Sequence, residues 1–451
     1  MRVLLYWPIH LFKTFRQSIA YLPSLLALAY AVLAYVSLFL PISDEQLPSL
    51  LVKLIEPPES TRSLLAALLG GMISLMVFSF SMVMSVLSQA GGQFSHKLVF
   101  GLISERHHQR VLGHYLGTIL FALVLLMTPD VTEGIATWRT LAVYLACLMV
   151  IHCLALFVYF IHNASQSIQV DAVAADLHRT TLSSMQSLQS CQNGEEWRTL
   201  STCIPPTTSD HPYHPVNARQ AGYLLNADLT TLATLAERAE GTLHLHFHFG
   251  DYVVAGMPIL SLEAPEAPDS GWCDEVRATL TYMEGESIGE HYVFGMTQLM
   301  EVALKALSPG INDPGTARLC LHRLTDLLRR RLEWRPCDAL FDQDGVCRVT
   351  WRVEEFDSLV FRLFQPILTY GGADLSIGLE LLRSLKTLSQ FADNKDIKTL
   401  QAHADRVVEA LAQTADHPLD RRFVSDQLNR GSHRLSLPDT LPRFPPERLD
   451  Q

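Results

Sequence analysis

Four long runs of mainly apolar residues without Asp, Glu, Lys or Arg occupy the first third of the chain. The first has its apolar centre at Ile19–Leu40, the second covers Ser63–Ser95, the third lies between Arg110 and Asp130, and the fourth is Thr140–Ile161. A helix rises about 1.5 Å per residue, so each run can cross a hydrocarbon core of ~30 Å. The pattern predicts a membrane α-helical region of about four transmembrane helices within residues 1–162.

The second apolar run is longer than a single membrane crossing requires. Such a helix should tilt, break at Gly70-Gly71, or project beyond the membrane. We expect it to project.

The lysines and arginines near the ends of these runs predict how the chain is oriented. Arg2, Lys13, Arg16, Lys97, Arg106 and Arg110 flank one side, whereas Lys53, Arg62 and Arg139 flank the other. Loops rich in Lys and Arg stay on the cytoplasmic side. The sequence therefore predicts an inner (plasma) membrane protein, in contact with the lipid bilayer, with both termini in the cytoplasm.

After the fourth run, the pattern predicts a cytoplasmic α+β portion made of a small β-rich module and a helical region. The strand signal is clearest where Leu243, Leu245 and Phe247 alternate with polar residues. The predicted segments are a cytoplasmic helical connector at 163–200, a linker at 201–216, the β-rich module at 217–266, a mainly helical domain at 267–430 with a hairpin near 338–353, and a disordered tail at 431–451.

Charge and cysteine content narrow the classes of partner. The formal net charge of -11 argues against a nucleic-acid partner, because a phosphate-binding surface needs an excess of Lys and Arg. The eight cysteines lack the CxxC spacing of a zinc site and the pattern of a disulfide framework, so we expect reduced thiols. No pattern in the sequence indicates a cofactor.

One face of the second predicted span carries only small or hydroxyl side chains. At about 100° per residue the face contains Gly70, Ser74, Ser81, Ser85 and Ser88, whereas Ser79 points away. Small residues let membrane helices pack closely. The alternative is a hydroxyl-lined conduction path in a homo-oligomer, with its cytoplasmic mouth at Gln89, Gln93, His96 and Lys97. Both interpretations remain open.

Two further groups of residues are weak candidates for binding. His244, His246 and His248 share one strand face and could hold a metal, although a solvated polar face explains them better, and we predict no metal site. Asn312 and Asp313 could present oxygen atoms to a ligand. Asp313 is also a good N-cap and Pro314 a good first helical residue, so a helix start explains this turn more simply.

A G-x-S-x-G pattern at Gly285–Gly289 is the one match to a catalytic motif. In hydrolases this serine lies on a tight turn between a strand and a helix, above a sheet with alternating helices. The surrounding sequence does not predict that context, so we expect a chance match and no enzymatic activity.

Four segments carry a resemblance to a known family: Phe78–Ser81, Ser88–Ser95, Gly250–Leu260 and Ala306–Ala317. With them, the whole chain resembles the predicted bacterial membrane proteins grouped as "domain of unknown function 2254". The resemblance implies a four-span membrane region with a cytoplasmic domain. It implies no activity, and no catalytic residue follows from it.

Two hypotheses for function follow from the sequence. The first is a homo-oligomeric channel or transport component with a cytoplasmic gating or assembly domain. The alternative is a membrane-anchored sensor or scaffold that binds a cytoplasmic partner or a small ligand. Beyond His114 and His152, the predicted spans contain no residue expected to carry a charge, which argues against an ion-coupled pump.

Overall fold

The computed structural model describes residues 21–37, 58–93, 106–127, 136–167, 170–192, 197–198, 211–283 and 291–442. The chain divides into two compact units, Met1–Gln169 and Val170–Gln451. The first contains helices alone among its described residues, and the second contains both strands and helices.

The helices of the first unit follow the predicted apolar runs. They are α1 (Tyr21–Ser37), α2 (Pro58–Gln93), α3 (Arg106–Met127) and α4 (Ala136–Ser167). Three stretches within them are long and apolar enough to cross a membrane: Arg62–Ser85, Gln109–Met127 and Ala142–His162. The sequence predicts about four spans, and three helices of the structure satisfy the length and composition of a span. The described part of the first run, α1, has 17 residues and is too short. The rest of that run lies outside the described residues.

Two glycines allow α1 to approach α3 closely. Gly113 and Gly117 are four residues apart and therefore lie on one face of α3. A Cβ atom at Gly113 would lie 2.6 Å from Leu26 Cδ1, and one at Gly117 would lie 2.7 Å from Tyr30 Cγ. This is the small-residue packing typical of membrane helices.

The long α2 helix does not break at its glycine pair. It is continuous from Pro58 to Gln93, and a Cβ atom at Gly70 or Gly71 would meet nothing within 4 Å. Of the three expectations for its excess length, the break at these glycines is wrong.

The second unit is an α+β structure. Its strands are β1 (Trp197–Arg198), β2 (Tyr213–Asn217), β3 (Gly222–Ala227), β4 (Thr242–His248), β5 (Tyr252–Val253), β6 (Pro258–Glu263), β7 (Leu280–Met283), β8 (Ala339–Phe341) and β9 (Cys347–Arg352). Its helices are α5 (Val170–Cys191), α6 (Leu229–Arg238), α7 (Ser270–Ala278), α8 (Tyr292–Leu307), α9 (Pro314–Glu333), α10 (Phe356–Gly371), α11 (Leu375–Ser389), α12 (Asn394–Thr414) and α13 (Pro418–Leu428).

The strands form two sheets, with the orders β1-β8-β9-β4-β6-β2 and β5-β3-β7. All pairings are antiparallel except that of β4 with β9, in which Leu243 lies opposite Val349. The predicted hairpin near 338–353 is therefore present as β8 and β9, but it extends the same sheet as the predicted β-rich module. Helix α6 packs on β4 and β9, and Leu232 and Leu235 enter the shared core.

Helix α5 joins the helical layer of the second unit. Val173, Leu177 and Met185 are buried, at the spacing of one helix face. The helix packs on α8 and α9, and His178 Nε2 lies 2.8 Å from Asp326 Oδ2. The predicted connector thus includes a helix that belongs to the core of this unit.

Two predicted irregular segments differ from the structure. Strand β2 begins at Tyr213, inside the predicted linker 201–216. The prediction of disorder is wrong for residues 431–442, because Leu435 and Leu441 are buried and the Arg434 backbone N–H donates to Ser389 Oγ. Residues 443–451 lie outside the described part of the chain. Residues 431–442 form neither helix nor strand, but they still pack against the second unit.

Candidate functional site

A cavity of about 700 Å³ lies within the second unit. Its walls come from the end of β3 and start of α6, the end of β4, the start of α8, and the end of β9. The lining segments are 225–230, 248–251, 291–294 and 351–354, together with Leu188, Gln192, Thr297, Trp334, Pro336 and Arg362. A cavity of this size suits a small organic ligand.

The turn after β4 places a histidine and an aspartate at one wall. The His248 backbone N–H donates to Asp251 Oδ2 at 2.8 Å, and His248 Nδ1 lies 3.4 Å from the same oxygen. Between them, Gly250 has a φ of +103° and donates its N–H to the Leu224 carbonyl at 2.6 Å. Glycine tolerates this conformation, so the backbone can turn tightly enough to bring the two side chains together.

The two side chains stabilise each other's charged form. The hydrogen bond with Asp251, aided by its charge, raises the pKa of His248. Burial alone would raise the pKa of Asp251, but the hydrogen bonds with His248 and the nearby cations outweigh it, and that pKa is lowered. Both shifts favour the charged forms, so the arrangement favours an ion pair.

His291 lies at the start of α8 and is held neutral. Its Nδ1 accepts the Val293 backbone N–H at 3.4 Å, which caps the helix. Its ring stacks on Tyr292, with centroids 5.0 Å apart and planes at 21°. Loss of solvation lowers the pKa of His291 to about 4, so the ring is uncharged at neutral pH.

A second ion pair joins Glu354 to Arg362. Arg362 Nη2 lies 2.9 Å from Glu354 Oε1, and the Glu354 side chain is 8% exposed. A buried carboxylate is tolerated in this position because a guanidinium faces it. Both members of the pair line the cavity.

Arg331 holds two segments of the wall in place. It is 6% exposed and donates to the Trp334 carbonyl, the Glu354 carbonyl and the Tyr292 hydroxyl, at 2.9, 2.9 and 3.3 Å. Arg331 is not among the candidate residues that the sequence analysis names. The helical spacing Leu324, Leu328, Arg331 places this residue on the buried stripe of α9 and could have identified it.

The three strand histidines do not converge on one site. His244 lies 2.8 Å from Thr350 Oγ1 and 3.0 Å from Glu263 Oε2, and His246 Nε2 lies 2.9 Å from Ser261 Oγ. Of the three, His248 lines the cavity. Within the described residues, no group of three or more His, Cys, Asp or Glu side chains is placed to hold a metal ion.

The turn at Asn312 and Asp313 joins two helices. Asn312 has a φ of +50°, which asparagine tolerates. Asp313 Oδ1 accepts the Thr316 backbone N–H at 3.1 Å, and Asp313 Oδ2 accepts the Thr316 hydroxyl at 2.6 Å. The Asp313 oxygens therefore cap α9, as the simpler interpretation of the sequence predicts, whereas the binding of a ligand at this turn is untested.

The small-residue face of α2 is solvent- or lipid-accessible within the single chain. Gly70, Ser74, Ser81, Ser85 and Ser88 are exposed, whereas Ser79 on the other side of the helix is 5% exposed. Ser74 Oγ donates to the Gly70 carbonyl at 2.9 Å. In the described part of the first unit, α2 thus packs on its neighbouring helices through other residues and not through the small-residue face.

His114 and His152, predicted to lie within separate spans, are close together. Their ring centroids are 5.3 Å apart, and the Tyr30 hydroxyl lies 2.8 Å from His114 Nδ1. Polar contacts of this kind connect membrane helices. This cluster links α1, α3 and α4.

Several predicted site residues lie outside what the structure describes. The side chains of Gln89 and Gln93, all of His96 and Lys97, and the G-x-S-x-G segment at Gly285–Gly289 fall in this group. The proposed cytoplasmic mouth and the chance catalytic motif therefore remain predictions.

The family described as "Predicted membrane protein (DUF2254)" matches residues 16–387. The chain belongs to this family. The match runs from the first apolar segment into α11 and includes every residue named above at the cavity. An uncharacterized protein of Mycobacterium tuberculosis and one of Mycobacterium bovis are each 26% identical to it over 395 residues, which is 85% of this chain and 74% of theirs. No solved structure matches the chain.

Proposed function

We propose that this protein is a membrane-anchored sensor that binds a small molecule in the cavity of its second unit. The supporting observation is that helix α5 forms part of the cavity wall through Leu188 and Gln192. In the sequence, α5 begins three residues after α4 ends. Along the chain, the cavity is therefore connected to the last apolar helix by α5 and two further residues. With the predicted orientation, the second unit is cytoplasmic.

The contacts of α5 support a role in transmitting ligand binding. At its far end, Gln192 Oε1 accepts the Cys337 backbone N–H at 3.1 Å. In the middle, His178 bonds Asp326 of α9. A ligand that changes the packing at Leu188 would act on a helix held at both points. Binding energy that differs between two positions of α5 would then shift their populations.

The cavity can be blocked from its rim to test this proposal. Thr230 is exposed and lines the cavity, whereas Thr234 is exposed one turn later on α6 and does not line it. The full chain in nanodiscs would be melted with and without a concentrated small-molecule extract of bacterial cells. A ligand that binds the folded state raises the melting temperature. We expect a rise for wild type and Thr234→Trp and none for Thr230→Trp. No rise for any of the three would contradict the proposal.

A second candidate function rests on the exposed face of α2. We propose that Gly70, Ser74, Ser81, Ser85 and Ser88 contact the same face in another copy of the chain, giving a homo-oligomer. Small residues allow close helix approach, and this face is left uncovered by the described helices of its own unit. A channel, the first hypothesis from the sequence, would need such an assembly with the hydroxyls turned toward water.

A further inference from the structure

We infer that the ligand of the cavity is an uncharged, flat aromatic molecule that offers a hydrogen-bond acceptor to His291. This inference rests on the proposed ligand-binding function and specifies the chemistry of the ligand. Three properties of the walls support it: the balance of charge, the aromatic surface, and one donor without a protein partner.

Two ion pairs account for four of the six charged or chargeable groups of the cavity: Asp251 lies against His248, and Glu354 lies against Arg362. The other two, Asp228 and Arg352, are exposed to solvent and make no ion pair with a described residue. Asp228 is additionally occupied as the cap of α6, with Oδ1 3.0 Å from the Thr231 backbone nitrogen. A charged ligand placed among these groups would lose solvation without finding a buried, unpaired opposite charge, and a contact with the exposed Arg352 would be weakened by solvent screening. An uncharged ligand avoids that cost.

Aromatic residues supply much of the remaining wall: Phe249, Tyr292, Phe294, Trp334 and Trp351. Tyr292 and Trp334 meet edge to face, with centroids 5.7 Å apart and planes at 66°. Both rings are buried, and Arg331 donates to the Tyr292 hydroxyl, so their orientation is set by the protein before a ligand arrives. Rigid aromatic walls favour a flat ring system that can stack or meet them edge-on.

His291 supplies the hydrogen-bond donor. Because Nδ1 accepts the Val293 N–H, the proton of the neutral ring must lie on Nε2. In the described part of the chain, no hydrogen-bond partner of Nε2 is present. A neutral N–H donor suits a carbonyl oxygen or a ring nitrogen of the ligand.

Three probes of one shape test the charge preference. Naphthalene-2-carboxamide is neutral, naphthalene-2-carboxylate is an anion, and naphthalene-2-carboxamidine is a cation at pH 7. Each would be titrated into the full chain in nanodiscs by isothermal calorimetry. We expect the carboxamide to bind at least about tenfold more tightly than either charged probe, and Thr230→Trp to abolish its binding while Thr234→Trp does not.

A matched pair of histidine variants tests the donor. Asparagine can cap a helix as histidine does, but it does not reach as far as Nε2. His291→Asn should weaken carboxamide binding about tenfold. His417 caps α13 in the same way, with Nδ1 3.2 Å from the Leu419 nitrogen, and lies outside the cavity. His417→Asn should leave binding unchanged, and equal losses in both variants would overturn the role of His291.

The outcomes separate this inference from the proposed function. Tighter binding of a charged probe overturns the uncharged class, while a cavity that binds ligands stands. If no probe binds but the cell extract still stabilises wild type and not Thr230→Trp, the aromatic class is wrong and the sensor proposal survives. If neither probes nor extract bind, both fail.

Discussion

Gly250 lies directly against the ring of Phe294 at the cavity wall, so closely that a Cβ atom on Gly250 would be 2.9 Å from Phe294 Cζ. The φ of Gly250 is +103°, a value that side-chain-bearing residues rarely adopt. The close approach joins the β4 turn to the start of α8. It thereby sets the distance between the His248–Asp251 pair and His291.

Gly250→Ala should therefore destabilise the second unit through both strain and overlap. We expect a loss of roughly 2–3 kcal/mol in the free energy of unfolding. Gly256→Ala is the matched control, because Gly256 has a φ of +86° but no atom within 4 Å of a built Cβ. It should cost only the backbone strain, roughly 1 kcal/mol. Denaturant titration followed by tryptophan fluorescence measures both, and equal losses would show that the Phe294 contact is unimportant.

Asp313 should contribute to stability as a helix cap. Asp313→Ala should lower the free energy of unfolding by about 1 kcal/mol without removing a bound ligand. Hydrogen bonds from the Thr316 hydroxyl and backbone lower the pKa of Asp313. A carboxyl whose pKa is lowered on folding stabilises the folded state at every pH above its ordinary pKa of about 3.9. That stabilisation is lost as the pH falls through the lowered pKa of the folded state.

Asp313→Asn separates the cap from the charge. Asparagine caps helices as well as aspartate does, so the variant should keep most of the stability at pH 7. Because asparagine does not titrate, the variant should not show the part of the stability loss in acid that protonation of Asp313 causes. Loss of a metal or metabolite with an unchanged melting temperature in Asp313→Ala would instead favour a ligand turn.

His291 should make the second unit less stable in mild acid. Its pKa of about 4 in the folded protein lies below the ordinary value of 6.5. The unfolded chain therefore binds a proton first as the pH falls. The full contribution of neutral His291 to the free energy of unfolding is present above about pH 6.5. It decreases by roughly 1–3 kcal/mol as the pH falls to about 4. Denaturant titrations across this window should show a shallower pH dependence in His291→Asn than in wild type, and an identical dependence would contradict the assignment.

Local sequence patterns predicted the individual helices and strands better than they predicted which of these elements pack or pair together. The alternation along 242–248 identified β4, and the hairpin predicted near 338–353 is present as β8 and β9. The parallel pairing of β4 with β9 could not be predicted, since those strands are about a hundred residues apart and meet through tertiary packing. Asp313 capped α9 as expected because a cap depends on its neighbours alone.

The cavity could not be predicted from sequence patterns either, because tertiary packing brings its residues together. His248, His291, Glu354 and Arg362 come from four separate segments, and no spacing relates them. The sequence did identify His248, but as a weak metal candidate beside His244 and His246. The strand pairs each of these two with its own neighbours, and the tight turn at Gly250 directs only His248 to the cavity.

The orientation of the chain can be tested with introduced cysteines. In a background without its eight native cysteines, Pro57→Cys should react with a membrane-impermeant maleimide in intact cells, because residues 43–61 are predicted to face the periplasm. His211→Cys, beyond the fourth span, should react only after lysis. Labelling of Pro57→Cys only after lysis would reverse the predicted orientation.

Two serines on opposite sides of α2 distinguish packing within the chain from packing between copies. Ser79 is buried and its hydroxyl donates to the Leu75 carbonyl at 2.8 Å, whereas Ser85 is exposed. Ser79→Leu should disrupt the fold of the first unit by overpacking. Ser85→Leu should leave the single chain folded but separate the copies, because leucine keeps the helix backbones apart. Size-exclusion chromatography with light scattering measures both effects.

Ser85→Asp then decides what the assembled face does. In a dry helix contact, the carboxylate would cost several kcal/mol or take up a proton, so assembly should fail as it does for Ser85→Leu. In a water-filled path, the carboxylate stays solvated and presents a ring of charge to ions, so assembly should persist and ion selectivity should change. Single-channel recording of wild type and Ser85→Asp in a bilayer measures the conductance and ion selectivity that a water-filled path predicts. Normal assembly of both proteins without conductance would exclude the channel and leave self-association as the role of this face.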